Sequence, residues 1–162
     1  MDGNDEPILG HTKLDILKQA RPAFFNPAML PWTPWVMEGT NFKLLNFDKK
    51  TGGFTILLKV DPDLDTPVHS HLGAVEGIVL EGEFGYDDDR GGVGSYFYEE
   101  AATRHQPDSP TGTIMFAVVH GPIVGHDEDG GVAGVVDARL MYELAAANGA
   151  ADHLAHLADF PS

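Results

Sequence analysis

Two histidines that are separated by one residue, His69 and His71, constrain the fold of this chain more than any other feature. They precede an apolar run that ends in a glycine turn, which is typical of a β-strand. Side chains at positions i and i+2 of a strand lie on the same face, so both imidazoles can reach one metal ion. A third histidine, His105, follows another strand-like run, Ser95 to Tyr98. The pattern therefore predicts two strands that meet at a metal site.

Glu76 is the first carboxylate after the histidine pair. From the next strand it could offer an oxygen to the same ion, so we include Glu76 in the candidate ligand set and as the candidate catalytic carboxylate. Three imidazoles, with or without a carboxylate, suit iron, zinc, nickel, manganese or copper, and the ligand types exclude none of these metals.

The charge and the composition limit the class of partner. The formal net charge is −15, which argues against nucleic acid and anionic membrane surfaces and fits a small-molecule ligand. The chain has no cysteine, which excludes disulfides, thiolate metal sites and cysteine nucleophiles. It shows no basic and apolar leader and no apolar run of about 18 residues, so a cytoplasmic location without membrane contact is expected.

Short apolar runs that alternate with turn residues predict an all-β fold. The chain contains 19 glycines and 11 prolines, and the run from Phe54 to Val60 is rich in residues that favour strands. The pattern changes after Asp137, a possible helix N-cap, because the apolar residues that follow it recur at helical spacing. A second short helix is predicted from Ala151 to Ala158.

The N-terminal part is predicted to pack against the barrel rather than to form it. Leu14 to Ala20 could be a short helix or an edge strand that ends before Pro22. The segment Phe24 to Trp35, rich in prolines and aromatic residues, is predicted to pack across the outside of a sheet, with a lid or a dimer contact as alternatives. We therefore divide the chain into an N-terminal extension and packing arm over residues 1–38, a barrel over 39–136 and a helical tail over 137–162.

Strand alternation also provides candidates for a substrate pocket. In the predicted strand 113–120, Phe116 and His120 share one face, and Met115 lies on the other. If the first face points inward, Phe116 lines the pocket near the metal, and His120 lies toward the end of the strand as a wall residue or a proton relay. The candidate pocket residues, of which Phe84 and Phe116 are preferred, are Phe84, Tyr96, Tyr98, Met115, Phe116 and His120.

The residues around the histidines resemble the two motifs of the cupin family. The first motif has two histidines, a glutamate and a glycine, which are matched here by His69, His71, Glu76 and Gly82, and the second is similar to residues 94–105. The family's Pro-x-Gly is replaced by Glu-Ala-Ala, and the spacing from Glu76 to Gly82 is one residue shorter than the motif. The resemblance implies a double-stranded β-helix, the cupin jelly roll, with the site inside the barrel and short C-terminal helices outside.

From about Trp32 to Leu157 the chain resembles cupin dioxygenases that cleave carbon–carbon bonds beside ketones. This group includes the 2,4'-dihydroxyacetophenone and the acetylacetone-cleaving dioxygenases, and the resemblance is carried by HSHLGAVEGIVLEGEFGY, GSYFYEEAATRH and IMFAVVHGPIVGHDEDGGVAG. It implies a ferrous ion held by His69, His71 and His105 without a carboxylate, with Glu76 beside the ligands or in the cavity wall. The two resemblances therefore disagree about Glu76.

The same resemblance implies an enzyme that uses dioxygen to split an α-hydroxyketone or a β-diketone. Fe(II) is the expected metal, and zinc, nickel and manganese are the alternatives to it. Two alternatives from other classes are a non-catalytic zinc-binding cupin sensor and a cupin isomerase or decarboxylase, since a fold does not choose a function. A homodimer or larger homo-oligomer is expected, with the segment Trp32 to Trp35 as the candidate contact.

Overall fold

The protein is described by a computed structural model over residues 22–64 and 66–160. The predicted helix or edge strand from Leu14 to Ala20 lies outside these residues. Within them no helix is both long enough and apolar enough to cross a membrane. Two 3-10 helices occupy Pro27–Met29 and Asp152–Leu157. The other elements are β1 (Thr33–Pro34), β2 (Thr40–Phe47), β3 (Phe54–Val60), β4 (His69–His71), β5 (Val75–Tyr86), β6 (Asp89–Gly92), β7 (Tyr96–Glu99), β8 (Arg104–His105), β9 (Thr113–Val119), β10 (Ile123–His126), β11 (Val132–Val136) and α1 (Ala138–Ala147).

The strands form two antiparallel sheets. The larger sheet has the order β1-β2-β3-β9-β5-β6, with β7 also paired to β5, and the smaller has the order β11-β10-β4-β8. Strands that are distant in sequence are neighbours, such as β3 with β9 and β4 with β10, which is typical of a jelly roll. The predicted all-β cupin jelly roll with short C-terminal helices is therefore confirmed.

Alternation along the strands of the larger sheet turns one apolar face into the core. In β2, Phe42 and Leu44 are completely buried, and in β3, Phe54 and Ile56 are almost completely buried. Burial of a side chain of this size contributes roughly 1.5–3 kcal/mol to folding. The inward face of these strands is thus the main source of stability for the barrel.

Helix α1 packs against β2 and closes one side of the barrel. It begins at Asp137, whose Oδ1 accepts a hydrogen bond of 2.9 Å from the backbone N–H of Leu140, so the predicted N-cap is confirmed. Met141 and Ala145 of α1 are completely buried. The second predicted helix is present as the 3-10 helix that contains the buried Leu154.

The segment before β2 packs against the chain's own sheet and helix. The Lys43 ammonium donates to the carbonyl of Pro27 at 3.0 Å and lies 4.8 Å from the centre of the Trp32 ring. The Trp35 indole N–H lies 3.1 Å from the sulfur of Met141. These contacts hold the Trp32 to Trp35 segment beside the barrel and bring Trp35 to the edge of the internal cavity.

Candidate metal centre

Three imidazoles converge inside the barrel. In β4, His69 and His71 point to the same face, and β8 pairs with β4 so that His105 lies opposite His69. The Nε2 atom of His105 lies 3.0 Å from Nε2 of His71 and 3.1 Å from Nε2 of His69. These three histidines, called the triad below, form a group that could hold a metal ion.

The tautomer of His69 suits a metal ligand. Its Nδ1 lies 2.9 Å from the backbone carbonyl of Pro67. A carbonyl oxygen can only accept, so Nδ1 carries the proton and Nε2 presents its lone pair to the triad. A hydrogen bond of this kind also fixes the orientation of the ring.

Burial keeps two residues of the triad, His69 and His105, in the neutral form. Burial is the main cause that lowers the pKa of His69 to about 4, and the nearby His105 and His71 lower it further. Burial likewise lowers the pKa of His105, against the opposing effect of Glu99. Neutral imidazole is the form that binds a metal, so these side chains are ready to bind at neutral pH.

A buried carboxylate, Glu99 at the end of β7, lies directly beside the triad. Its Oε2 is 3.1 Å from Nε2 of His71 and 3.7 Å from Nε2 of His105, and its side chain is 9% exposed. The hydroxyl of Tyr86 donates to the other oxygen, Oε1. Burial alone raises the pKa of Glu99, but hydrogen bonds from His71 and Tyr86 and the nearby imidazoles outweigh burial and lower it. Glu99 is therefore a charged carboxylate at neutral pH.

Tyr86 stays protonated as the partner of this carboxylate. Burial, followed by the charge and the hydrogen bond of Glu99, raises the pKa of the Tyr86 phenol. Its ring also lies 5.2 Å from the ring of His105. The phenol thus fixes Oε1 of Glu99 and leaves Oε2 beside the triad.

Sequence reasoning missed both Glu99 and Tyr86. The available signal was the alternation in β7, where Phe97 and Glu99 share one face and Tyr96 and Tyr98 share the other. A carboxylate on the same face as a phenylalanine, one strand before His105, is a candidate for an inward-facing charge.

Glu76 lies on the outer face of the larger sheet, which corrects its prediction as a ligand and catalytic residue. Its neighbours Val75 and Gly77 are buried, so alternation turns Glu76 outward. Its Oε2 lies 3.3 Å from Nε2 of His120, and the two side chains are 41% and 49% exposed. The physical reason is the register of β5, which gives the inward position to Val75.

The same parity corrects most of the predicted pocket. In β9 the buried residues are Thr113, Met115, Ala117 and Val119, so Phe116 points out of the barrel. Tyr96 and Tyr98 are 62% and 56% exposed on the outer face of β7, and His120 lies there with Glu76. The expectation that Phe116, Tyr96, Tyr98 and His120 line the pocket is therefore wrong. Of the predicted set, Phe84 and Met115 line the cavity.

Two residues of the triad border an apolar cavity of about 150 Å³ between the two sheets. His69, His71 and Glu99 form part of its wall. The opposite wall is aliphatic and aromatic, and its members include Ile56, Leu58, Phe84, Phe97, Met115 and Ala117.

The donor set fits a divalent metal ion. The Nε2 atom of His105 lies within hydrogen-bonding distance of the Nε2 atoms of both His69 and His71, and neutral imidazoles cannot all satisfy one another because each has one N–H only. Without a metal, Nε2 of His71 donates its proton to Glu99. A cation at the meeting point would replace that proton, accept all three lone pairs and balance the buried charge of Glu99.

The sequence and the structure were compared with known proteins. A family model described as the ChrR cupin-like domain matches residues 20–124. None of the curated proteins matches the chain in sequence.

Solved structures share the fold over most of the chain. An RmlC-like cupin protein from Ralstonia eutropha JMP134 has a TM-score of 0.73 at 25% identity, over 80% of this chain and 88% of that one. An acetylacetone dioxygenase from Acinetobacter johnsonii has a TM-score of 0.63 at 19% identity, over 85% and 97%. A candidate acetylacetone dioxygenase from Methylibium petroleiphilum PM1 has a TM-score of 0.70 at 19% identity, over 80% and 97%. At 19% identity, the likeness to the two dioxygenases concerns the fold.

Proposed function

The chain belongs to the family of ChrR cupin-like domains. We propose that it is a metal-dependent oxidoreductase. We infer more specifically a non-haem Fe(II) dioxygenase that cleaves a carbon–carbon bond beside a ketone. The observation that carries the proposal is the triad with the charged Glu99 beside it, at the wall of an apolar cavity.

The triad would hold the metal through the Nε2 atoms of His69, His71 and His105. A ferrous ion bound there would supply a Lewis acid for the oxygens of an α-hydroxyketone or a β-diketone and a place for dioxygen. Neutral ligands keep the positive charge of the centre, which favours a substrate that becomes an anion.

Glu99 is the group that would take the proton when the substrate becomes an enolate. Its lowered pKa keeps it ionised, and Oε2 faces the triad while Tyr86 holds Oε1. The carbon between two carbonyls is acidic, and a carboxylate at hydrogen-bonding distance can act as its base. Tyr86 therefore acts as a positioning residue for Glu99.

The cavity wall would protect the reaction from water. Ile56, Met115 and Ala117 are at most 3% exposed and border the same cavity as His71 and Glu99. An apolar and enclosed site strengthens the electrostatic effects of the few charges inside it.

One observation favours a second candidate function, a non-catalytic zinc site. Glu99 is close enough to His71 to complete a set of three histidines and one carboxylate, and closed sets of four ligands are typical of structural zinc. In this case Glu99 binds the metal instead of taking a proton, and the domain would sense or hold zinc.

Metal analysis with an oxygen-electrode assay tests the proposal. The protein is purified without added metal, loaded with Fe(II), and assayed with pentane-2,4-dione and 2,4'-dihydroxyacetophenone. We expect about one metal per chain and oxygen uptake that His105→Ala abolishes. His120→Ala is the matched control, because that histidine lies on the outer face and should leave both metal content and uptake unchanged.

Tightly held zinc, with no oxygen uptake after iron loading, would replace the dioxygenase with the zinc-binding alternative. Loss of metal binding in His120→Ala but not in His105→Ala would contradict the assignment of the triad itself.

A further inference from the structure

We propose that the cavity selects substrates with an uncharged hydrocarbon arm about the size of a benzene ring, and that Ala117 limits the length of this arm. The inference rests on the proposed function for the reacting end of the substrate. It concerns the part of the substrate that the metal does not touch.

The volume of the cavity limits the size of the arm. The cavity measures about 150 Å³, and an apolar cavity of roughly 150 Å³ lined by leucine, isoleucine and phenylalanine stays dry and binds benzene. The wall here is of the same kind, with Ile56, Leu58 and Phe97 among its residues. One ring, or an alkyl chain of similar volume, therefore fills it.

The polar side chains of the wall are already engaged. The Thr66 hydroxyl donates to the carbonyl of Pro107, and the Ser109 hydroxyl donates to the carbonyl of Glu83 at 2.6 Å. No hydroxyl donor of these two residues is left for a polar group on the arm. A carbonyl or other acceptor on the arm would therefore lose its hydrogen bonds to water without a donor from these hydroxyls to replace them.

The charges of the wall exclude an anionic arm. Glu99 and Asp108 border the cavity, and the lining found among the described residues contains no lysine or arginine. The guanidinium of Arg90, which is not part of the lining, contacts Asp108 through Nη1 at 2.6 Å. A carboxylate or phosphate on the arm would therefore be buried near the charge of Glu99, with no lysine or arginine in the lining to balance it.

Ala117 is the short side chain on the buried wall. It is 3% exposed, lies in the middle of β9 between the inward-facing Met115 and Val119, and borders the cavity. Its partner on β5 is Gly77, which has no side chain. The ring of Phe97 lies over Gly77, where a Cβ atom would approach Phe97 Cζ to 2.7 Å. The short side chain of Ala117 itself therefore leaves cavity space, and a larger residue at 117 would extend into it.

The mouth of the cavity is formed by three segments at the surface. Val36, Pro67 and Asp108 border the cavity and are also exposed. An arm that is longer than the hollow must therefore emerge between these residues into water.

The test is a binding series measured by calorimetry on the zinc-loaded full-length chain, which cannot oxidise the ligand. The probes are pentane-2,4-dione, its homologues up to octane-2,4-dione, and 5,7-dioxooctanoate, in which a carboxylate replaces the terminal methyl group. We expect affinity to rise roughly fourfold for each methylene added to the chain. The carboxylate should reverse this gain and bind roughly tenfold or more weakly than octane-2,4-dione.

Ala117→Leu should abolish the gain in affinity of roughly fourfold for each added methylene, because leucine would fill the space that the longer chains occupy. The affinity for pentane-2,4-dione, which has no added methylene, should stay within about twofold. Val118→Leu is the matched control, because Val118 is the outward-facing neighbour on the same strand, and it should keep the full gain. The series in the unsubstituted chain decides the matter if Ala117→Leu does not fold.

Equal affinity for 5,7-dioxooctanoate and octane-2,4-dione would overturn the inference, as would an unchanged methylene gain in Ala117→Leu. If the series behaves as expected but the iron-loaded chain takes up no oxygen, the dioxygenase proposal fails and this inference stands. If the zinc-loaded chain binds no dione, benzene and benzoate are titrated into the metal-free chain. Saturable binding of benzene alone supports the cavity assignment, and its absence refutes it.

Discussion

Replacement of Glu99 by glutamine separates the role of this carboxylate from that of an ordinary buried acid. Glutamine keeps the size of the side chain and an acceptor for the Tyr86 hydroxyl, so the metal-free fold should be retained. The substitution removes only the negative charge, which lies 3.1 Å and 3.7 Å from two of the triad nitrogens.

The size of the effect follows from these distances. Two unit charges about 4 Å apart interact by about 4 kcal/mol at an effective dielectric constant of about 20. Removal of the charge also removes the cost of burying it, so the net loss is smaller than this. Residues that contact metal ligands typically change metal affinity by about 10- to 100-fold, and we expect Glu99→Gln to weaken metal binding within that range.

Catalysis should suffer more than metal binding if Glu99 takes the proton. Loss of a general base typically costs about 10²- to 10⁴-fold in rate. We therefore expect kcat for a dione, at saturating iron, to fall by that factor. Glu76→Gln is the matched control, since the carboxylate of Glu76 is on the outer face with His120.

The assay combines competitive metal titration, thermal unfolding and oxygen uptake. The melting temperature of the metal-free protein should change little, while the stabilisation by metal should fall by about 1.4 kcal/mol for each tenfold loss of affinity. Equal losses in Glu99→Gln and Glu76→Gln would refute the reasoning. A Glu99→Gln protein that loses metal almost completely would instead support Glu99 as a fourth ligand.

Four further outcomes are expected. Because the pKa of His69 is about 4 in the folded chain and about 6.5 in the unfolded one, only the unfolded state gains a proton as pH falls between these values. Through His69, the metal-free protein should therefore lose up to about 1.4 kcal/mol of unfolding free energy for each unit by which the pH falls between these two pKa values. Urea unfolding at a series of pH values measures this loss, and a stability that rises toward pH 4 would contradict it. Tyr86→Phe removes a hydrogen bond that lowers the pKa of Glu99, so the acid limb of the kcat/KM profile should move to higher pH, whereas an unmoved limb would exclude Tyr86 as its partner. Met141→Ala should cost about 2–5 kcal/mol in unfolding free energy, because Met141 is fully buried, with metal content retained. Finally, His120→Ala should change stability by less than about 0.5 kcal/mol, as for most exposed positions.

The histidine pair of the triad could be predicted because it depends only on local geometry. Two histidines at i and i+2 of a strand share a face whatever the strand pairs with. His105 follows a second strand-like run, and it meets the pair because β8 pairs with β4. The structure places all three Nε2 atoms together. The helix N-cap at Asp137 was also predictable, because capping involves only the residues that follow it.

The choice of the inward face could not be read from alternation alone. In β9 both faces are apolar, with Met115 and Ala117 on one and Phe116 and Val118 on the other. Its large ring makes Phe116 the stronger candidate for the pocket from the sequence, but the face of β9 that points into the space between the sheets carries Met115 and Ala117. That space depends on the pairing of β9 with β3 and β5.

By itself, the sequence determined the all-β class, the histidine pair and the helical tail, since each depends on residues close together in the chain. The tertiary structure alone decided which carboxylate meets the triad. Glu76 is near the histidines in sequence but outside the barrel, and Glu99 reaches them because β7 pairs with β5 so that Glu99 lies opposite the inward-facing Val75. A period of two defines two faces for every strand, and only the packing of the two sheets decides which face is buried.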